Sequence, residues 1–307
     1  MQKNRHHKAP VFRPDNILTL VNEGKESKGL LAFVEENMTG RSRTDMKSWL
    51  RNGQIRINGN ITKAFDAPVE PGMVVEINTS RAFVTLHHPR LQLVYEDDDI
   101  IVVNKGYGLL SVNIPNPAQK KIESAYDIIR DYVKRKDPRN KIFVVHRLDR
   151  DTTGLMMFAK SEEAQEILRH NWNNFVLERH YIAVVEGIVK DDSGVVKSRL
   201  AENSRFQVYS TENQDEGKLA VTRYKVLKRG RGSSLLEFAL DTGRKNQIRV
   251  HASEMGHPIS GDKKYGASTS RAGRLCLHAK TLRFAHPITR KDLAFEAPVP
   301  PVFFKAL

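Results

Sequence analysis

The rhythm of polar and apolar positions along this 307-residue chain changes near residue 90. Before it, apolar residues recur at helical spacing. Leu30, Leu31, Phe33 and Val34 predict one helix; Met46, Trp49 and Leu50 share a face of a second, with Gly53 placed to end it. The runs IRIN and VVEI read as short strands around Asn58-Gly59, a pair that accepts the backbone of a tight turn. From Leu91 onward strand-like runs dominate. LQLVYEDDDIIVVNK predicts two strands about an acidic turn. FVVHRLD, GLMMFAKS, HYIAVVEG, LAVTRYKVL and SLLEFALDTG predict further strands.

Helices interrupt these strands at irregular intervals. SAYDIIRDYVKRK sets Ala125, Ile128, Ile129 and Tyr132 on one face. Ser161 followed by Glu162 and Glu163 is a helix start leading into EAQEILRHNW. NQIRVHASEMG sets Ile248, Ala252 and Met255 on one side, with Gly256 as terminator. Strands in neighbouring runs with scattered helices predict an α+β fold rather than a doubly wound one. The chain divides into a short basic tail (1–14), a small αβ unit (15–80), a linker, RAFVTLHHPR (81–90), and a large domain (91–307). No internal repeat is visible.

Charge sharpens this picture. Lys and Arg number 50 against 36 acids, a net charge of +14. Such an excess points to a polyanionic partner, most simply nucleic acid. The single cysteine, Cys276, excludes an intramolecular disulfide, and CxxC metal spacing is absent. The N-terminus, MQKNRHHKAP, lacks the apolar core of a secretory signal, and no apolar run approaches the roughly 20 residues of a membrane span. These features predict a cytoplasmic protein with no membrane partner.

Two regions carry the candidate chemistry. In the small unit, Arg41, Arg43, Lys47, Arg51 and Arg56 crowd around one predicted helix and the strand after it. Arg43, Lys47 and Arg51 are four apart, so they form a stripe able to neutralise several phosphates. In the large domain, HRLDRDTTGLMMFAK places Asp149 between two apolar runs, with Arg147 and Arg150 beside it. An isolated aspartate in such a setting is ordinarily an ion-pair or turn residue. A second stretch, DTGRKNQIRVHASEMGHPISGDKKYG, is dense in Arg, Gln, His and Gly at a strand-to-helix junction, which marks a site. A third, ERHYIAVVEG, offers Tyr181 on a strand.

Taken together, these stretches resemble the pseudouridine synthases of the RluA type over nearly all of residues 91–307. HRLDRDTTGL resembles the family's catalytic segment, which implies that Asp149 is the catalytic aspartate. HYIAVVEG resembles the segment whose tyrosine lines the uridine pocket, implying that role for Tyr181. GRKNQIRVHASEMGHPISGDKKYG resembles the third motif, whose arginine pairs with the aspartate, here Arg249. LCLHAKTLRFAHPITRKDLAFEAPVP resembles the closing strands. RTDMKSWLRNGQIRING resembles the core of the S-four RNA-binding module, over about Gly29 to Ile77. The resemblance implies a large mixed, mainly antiparallel sheet with flanking helices behind a small αβ RNA-binding module.

Two positions depart from the family pattern. Lys105-Gly106 stands where Lys-Pro is common, and Asn246 stands where His commonly precedes the Gln of the third motif. Both are expected to lie away from Asp149, Tyr181 and Arg249 and to bear on loop geometry and substrate choice.

The residue types suit the implied reaction. Making pseudouridine breaks a glycosidic bond, turns the base and rejoins it through carbon, so the uridine must leave its stack. A tyrosine ring can stack on the extruded base. An aspartate acting as nucleophile or base must be ionised; burial opposes ionisation and an arginine beside it favours it. The isomerisation requires no redox carrier, nucleotide or metal. Neither GxGxxG nor GxxxxGK[ST] occurs, and His251 and His257 are too isolated for a zinc site, so no cofactor is expected. The expected enzyme acts on RNA, with ribosomal RNA of the large subunit favoured and transfer RNA as the alternative. It is expected to work as a monomer with no obligate protein partner. Arg147 joins the five cations of the small unit as an expected RNA contact. A non-catalytic RNA-binding or assembly factor is the competing class, and an Asp-dependent glycosidase would ordinarily require a second catalytic carboxylate.

Overall fold

The computed structural model describes residues 16–113 and 122–307, so the basic tail expected at 1–14 lies outside the described residues. Backbone contacts divide the chain into two units. One runs up to Thr85 and takes in Tyr132–Arg139; the other comprises Leu86–Asp131 and Asn140–Leu307.

The first unit holds β1 (Ile17–Val21), β2 (Lys28–Gly29), α1 (Leu30–Asn37), α2 (Arg43–Arg51), β3 (Ile55–Ile57), β4 (Asn60–Ile61), β5 (Pro68–Val69) and β6 (Val74–Asn78). The sheet order is β1-β6-β3-β4, with β2 and β5 paired separately. Leu30, Phe33 and Val34 of α1 and Met46, Trp49 and Leu50 of α2 are buried together with Ile55, Val75 and Ile77, as their spacing predicts. Ser42 starts α2 with a reciprocal cap: its Oγ accepts the Asp45 N–H at 3.1 Å, and Asp45 accepts the Ser42 N–H at 3.3 Å. Gly53 ends the turn at φ +69°. Asn58-Gly59 closes the β3–β4 hairpin; VVEI returns from farther along the chain as β6 and pairs with β3.

The second unit is organised on one sheet. In chain order its elements are β7 (Leu91–Glu96), β8 (Ile100–Lys105), α3 (Ala125–Lys136, whose C-terminal part belongs to the first unit), β9 (Phe143–Val144), β10 (Thr153–Ala159), α4 (Glu162–Phe175), β11 (Val176–Glu186), β12 (Ser193–Glu202), β13 (Val208–Thr211), β14 (Lys218–Arg229), β15 (Ser233–Leu240), α5 (Gln247–Glu254), β16 (Leu277–Ala285), β17 (Asp292–Glu296) and α6 (Pro301–Ala306). The order is β13-β12-β14-β15-β11-β16-β10-β8-β7, with β17 on β16 and β9 on β10. The architecture is the expected α+β, with a large mixed, mainly antiparallel sheet.

One junction positions the site. β10 runs parallel to β16, with Thr153 beside His278 and Gly154 beside Ala279, whereas β10 and β8 are antiparallel. Every residue of β10 is buried, so TGLMMFA reads as the unbroken apolar run of a strand covered on both faces. Gly154 sits at φ +113°, and a Cβ there would lie 2.1 Å from the Ala279 carbonyl oxygen. Glycine is therefore required for β10 to enter the sheet beside β16. FVVHRLD is not a continuous strand as expected: only Phe143–Val144 pairs. From there the backbone leaves the ladder, since residues 146–149 must bring an aspartate to the sheet's end.

Candidate active site

The Asp149 loop is anchored on both sides of the aspartate. Before it, the Ser111 hydroxyl donates to the Leu148 carbonyl at 2.6 Å and accepts the Leu148 N–H at 3.1 Å. After it, the Lys105 ammonium donates to the carbonyls of Arg150 and Leu109, each at 2.9 Å, and of Gly106 at 3.2 Å. Lys105 is fully buried. Burial pushes its ammonium down to about 7, against the pull of Asp151 and Asp149. Thr153 fixes the next turn through His278 Nδ1 at 2.9 Å and Arg274 Nη2 at 3.1 Å. A loop held this way presents one side chain in one place.

Three groups meet at that place. Arg249, on α5, donates through Nη1 to Asp149 Oδ2 at 3.1 Å. The same guanidinium makes a two-pronged pair with Asp262, with Nε and Nη2 each at 2.7 Å. Asp262 is almost fully buried and Arg249 nearly so. Burial works against the Arg249 charge, but Asp262 and then Asp149 hold it well above the usual arginine range. Asp262 thus orients the arginine, leaving Nη1 for Asp149.

The third group is Asn246. Its Nδ2 donates to Asp149 Oδ2 at 2.6 Å. Its backbone is left-handed, φ 54° and ψ 16°, at the residue before α5. Asparagine tolerates that conformation better than most residues. This corrects the expectation that the family departures lie away from the site: Asn246 touches the aspartate directly. Gly106 also bears on the site, because its carbonyl holds Lys105 and a Cβ there would come within 3.0 Å of the Arg90 backbone.

A cleft of about 560 Å³ opens over these groups, walled by Asp149, Tyr181, Arg147, Arg179, Trp172 and Lys245 among others. A smaller recess that shares Asp149 and Tyr181 with it is lined also by Arg249, Ile248 and Leu277. Tyr181 stands on β11, and burial pushes its hydroxyl up. His146 lies against Trp172 with ring centroids 4.9 Å apart. Its Nε2 accepts the Met157 N–H at 2.9 Å, and burial holds the ring neutral, down to about 3. Asp149 is the one carboxylate among the described residues lining the cleft, against four Arg and Lys side chains.

The structure therefore brings Asp149, Arg249 and Tyr181 together and sets exposed Arg147 at the cleft. The other expected RNA contacts lie in the first unit. Arg41, Arg43, Lys47 and Arg51 are exposed, with Arg43 Nε 2.8 Å from Glu35. Arg56 is occupied: it pairs with Glu76 through two 2.7 Å bonds and lies over the Phe83 ring. His251 bonds Thr222 at 2.8 Å and Ser198 at 3.1 Å, and His257 bonds the Glu186 carbonyl, so both serve as internal partners. Asp97, Asp99 and His286 bring ligand-type atoms within 4.8 Å of one another. Those atoms already bond Tyr95, Ser161, each other and the Asp99 and Ile100 N–H groups, an arrangement that stitches the β7–β8 turn. Sequence reasoning missed Asn246 and Asp262 as partners of the site, and Lys105 and Ser111 as its anchors. Asn246 had left a signal as a departure from the family pattern, and Lys105 another as a cation closing the run IIVVN.

A cationic cleft gathered around one anchored carboxylate, at the end of a large mixed sheet, defines the class: an enzyme built to work on an anionic polymer. Residues 99–254 match the family model for RNA pseudouridylate synthase. The chain is 34% identical over 283 residues to an uncharacterized RNA pseudouridine synthase, YlyB, of Bacillus subtilis, covering 91% of this chain and 93% of that protein. It is 35% identical over 302 residues to the ribosomal large subunit pseudouridine synthase D of Vibrio cholerae, covering 91% and 90%. The chain belongs to the RNA pseudouridylate synthase family. Among solved structures, human RNA pseudouridylate synthase domain containing 4 shares the fold, with a TM-score of 0.57 at 23% identity over 70% of this chain and 91% of that one.

Proposed function

We propose that this RNA pseudouridine synthase isomerises specific uridines of ribosomal RNA, in the large subunit, with Asp149 as the catalytic residue. The observation that carries the reading is the Asp149 carboxylate, held through Oδ2 by Arg249 and Asn246 and set in the cationic cleft. With one oxygen engaged by two donors, the other is left to meet the ribose, at its glycosidic carbon or its 2′ proton. Tyr181 supplies the ring on which the extruded uracil stacks, a contact worth about 1–3 kcal/mol. The large-subunit assignment rests on the similarity to the Vibrio cholerae enzyme. The first unit acts as an S-four-like module: the exposed cations of α2 and its flanks, Arg41, Arg43, Lys47 and Arg51, hold the RNA backbone, and Arg147 does so at the cleft. The enzyme works in the cytoplasm.

Asp149→Asn tests this reading. It keeps shape and removes the charge. The target uridine is first mapped as the pseudouridine missing from the ribosomal RNA of cells that lack the protein; at that position pseudouridine also disappears from the RNA of cells carrying the variant, while affinity for that RNA in vitro stays within about threefold, because phosphate contacts supply most of it. Wild-type turnover by Asp149→Asn would refute the catalytic assignment; wild-type activity on transfer RNA with ribosomal RNA unmodified would refute the substrate.

A further inference from the structure

We propose that Arg179 and Trp172 form a second subsite in the cleft, which takes a phosphodiester adjoining the extruded uridine and the base of the neighbouring nucleotide. The inference rests on the RNA reading above and assigns residues that the catalytic geometry does not use.

Arg179 lies two positions before Tyr181 on β11, and both line the cleft with Asp149. Its side chain is half-buried in the wall, and that burial pulls its ionisation below the usual arginine range without discharging it. A guanidinium has five N–H donors. Among the described residues the one hydrogen bond this group makes is from Nη2 to the Leu240 carbonyl, at 3.3 Å. The nearest loop acid, Asp241, is taken by Arg223, whose Nη2 lies 3.0 Å from Asp241 Oδ2. No carboxylate of the described residues comes within ion-pair distance of Arg179. An arginine so placed, half-buried and without a counter-ion among the described residues, is a site able to take an anion.

The loop is shaped around it. A Cβ on Gly243 would lie 2.6 Å from Arg179 Nη1, and Gly243 has no left-handed backbone that would require glycine on its own account. An alanine there would displace the guanidinium, the movable end of a flexible side chain. The guanidinium carbon lies over the Trp172 ring, 5.9 Å from its centre. The helical run of α4 breaks at Asn171, φ −124° and ψ 28°, one residue before the tryptophan. Trp172 is half-buried and lines the cleft. The indole already has Arg179 over it and His146 against it, so a base joins that stack by taking the place of one of them while the guanidinium turns to its phosphate, the pairing of ring and cation that binds single-stranded nucleic acid. Asp149 already has its cationic partner in Arg249, so the anion for Arg179 comes from the ligand. Because Arg179 and Tyr181 share the cleft wall, that anion is a phosphate next to the extruded nucleotide.

The test uses the full chain carrying Asp149→Asn, to prevent turnover. The probe is an RNA stem-loop containing the mapped uridine, with one neutral methylphosphonate placed in turn at each phosphate within two nucleotides of it. One position weakens binding tenfold or more with Arg179 present and less than twofold in Arg179→Met. Gly243→Ala, which keeps the charge but displaces it, behaves like Arg179→Met at that position, and Arg179→Lys falls between. In a Trp49→Phe background, binding of the stem-loop quenches Trp172 fluorescence. Additive losses at every position, with all variants melting like the parent, overturn the subsite while leaving the RNA reading intact. Failure of the parent to bind the stem-loop at all overturns both.

Discussion

Asn246 offers the sharpest test of how the site works. Its side chain donates to Asp149 Oδ2 at 2.6 Å, and its φ is 54°. Asn246→Gly removes the amide and relieves the left-handed backbone, so the hydrogen bond is lost without added strain. A hydrogen bond to an ionised partner contributes about 1.5–3 kcal/mol. Asp149 retains 25% side-chain exposure, so water replaces part of the loss and the lower end applies. That corresponds to roughly 10- to 30-fold in kcat, at about 1.4 kcal/mol per factor of ten. KM changes by less than about threefold, because the amide holds the aspartate rather than the RNA. Asn246→Asp supplies the pH signature. It is close in shape and also tolerates positive φ, but it puts a second carboxylate against Asp149. Two carboxylates this close cannot both ionise, and the pair takes up a proton as pH falls. A protonated carboxyl at 246 can then donate as the amide did. Single-turnover assays on the mapped RNA from pH 5 to 8 should show Asn246→Asp gaining rate toward acid, a limb the wild type lacks. Wild-type kcat in Asn246→Gly, or a wild-type profile in Asn246→Asp, would refute the positioning role.

Gly154→Ala should prevent β10 from docking on β16, since its Cβ would meet the Ala279 carbonyl at 2.1 Å; little folded protein is expected, and a melting temperature near wild type would refute the packing argument. Acid should destabilise the fold early. Burial depresses His146 to about 3 and His251 and His278 to about 4, so the unfolded chain binds the extra protons. Neutral-form stability is full above the unfolded histidine value and is lost as pH falls from about 6.5 toward 4, each ring adding a slope of up to about 1.4 kcal/mol per pH unit. His146→Asn should flatten the melting curve across that window, and an unchanged slope would count against it. Replacing Lys47 and Arg51 by Glu should weaken RNA binding and reduce its salt dependence, by about 0.7–0.9 in log–log slope for each lost phosphate contact; unchanged affinity and slope would remove α2 from the RNA-binding face.

Much of this protein was legible along the chain because the signals are local. Periodicity placed α1 and α2, the apolar run GLMMFA marked a strand, and Ser161 marked the start of α4, since each depends on neighbours within a few residues. HRLDRDTTGL, HYIAVVEG and the QIR stretch led to Asp149, Tyr181 and Arg249 by resemblance. The partners of those residues were not legible. Asp149 meets Asn246 across 97 positions and Arg249 across 100, and Lys105 reaches Arg150 across 45. Such contacts come from strand order, and nothing local dictates that β10 lies between β16 and β8. The same holds for charge. Arg56 and Arg179 look alike as cations in sequence, yet a cross-strand neighbour, Glu76, neutralises the first, while β11 carries the second into a cleft wall where its one hydrogen bond among the described residues is to the Leu240 carbonyl. Residue type fixes what a side chain can do in chemistry. Which groups surround it, and so whether it is spent on the fold or kept for a ligand, is decided by the packing of distant segments.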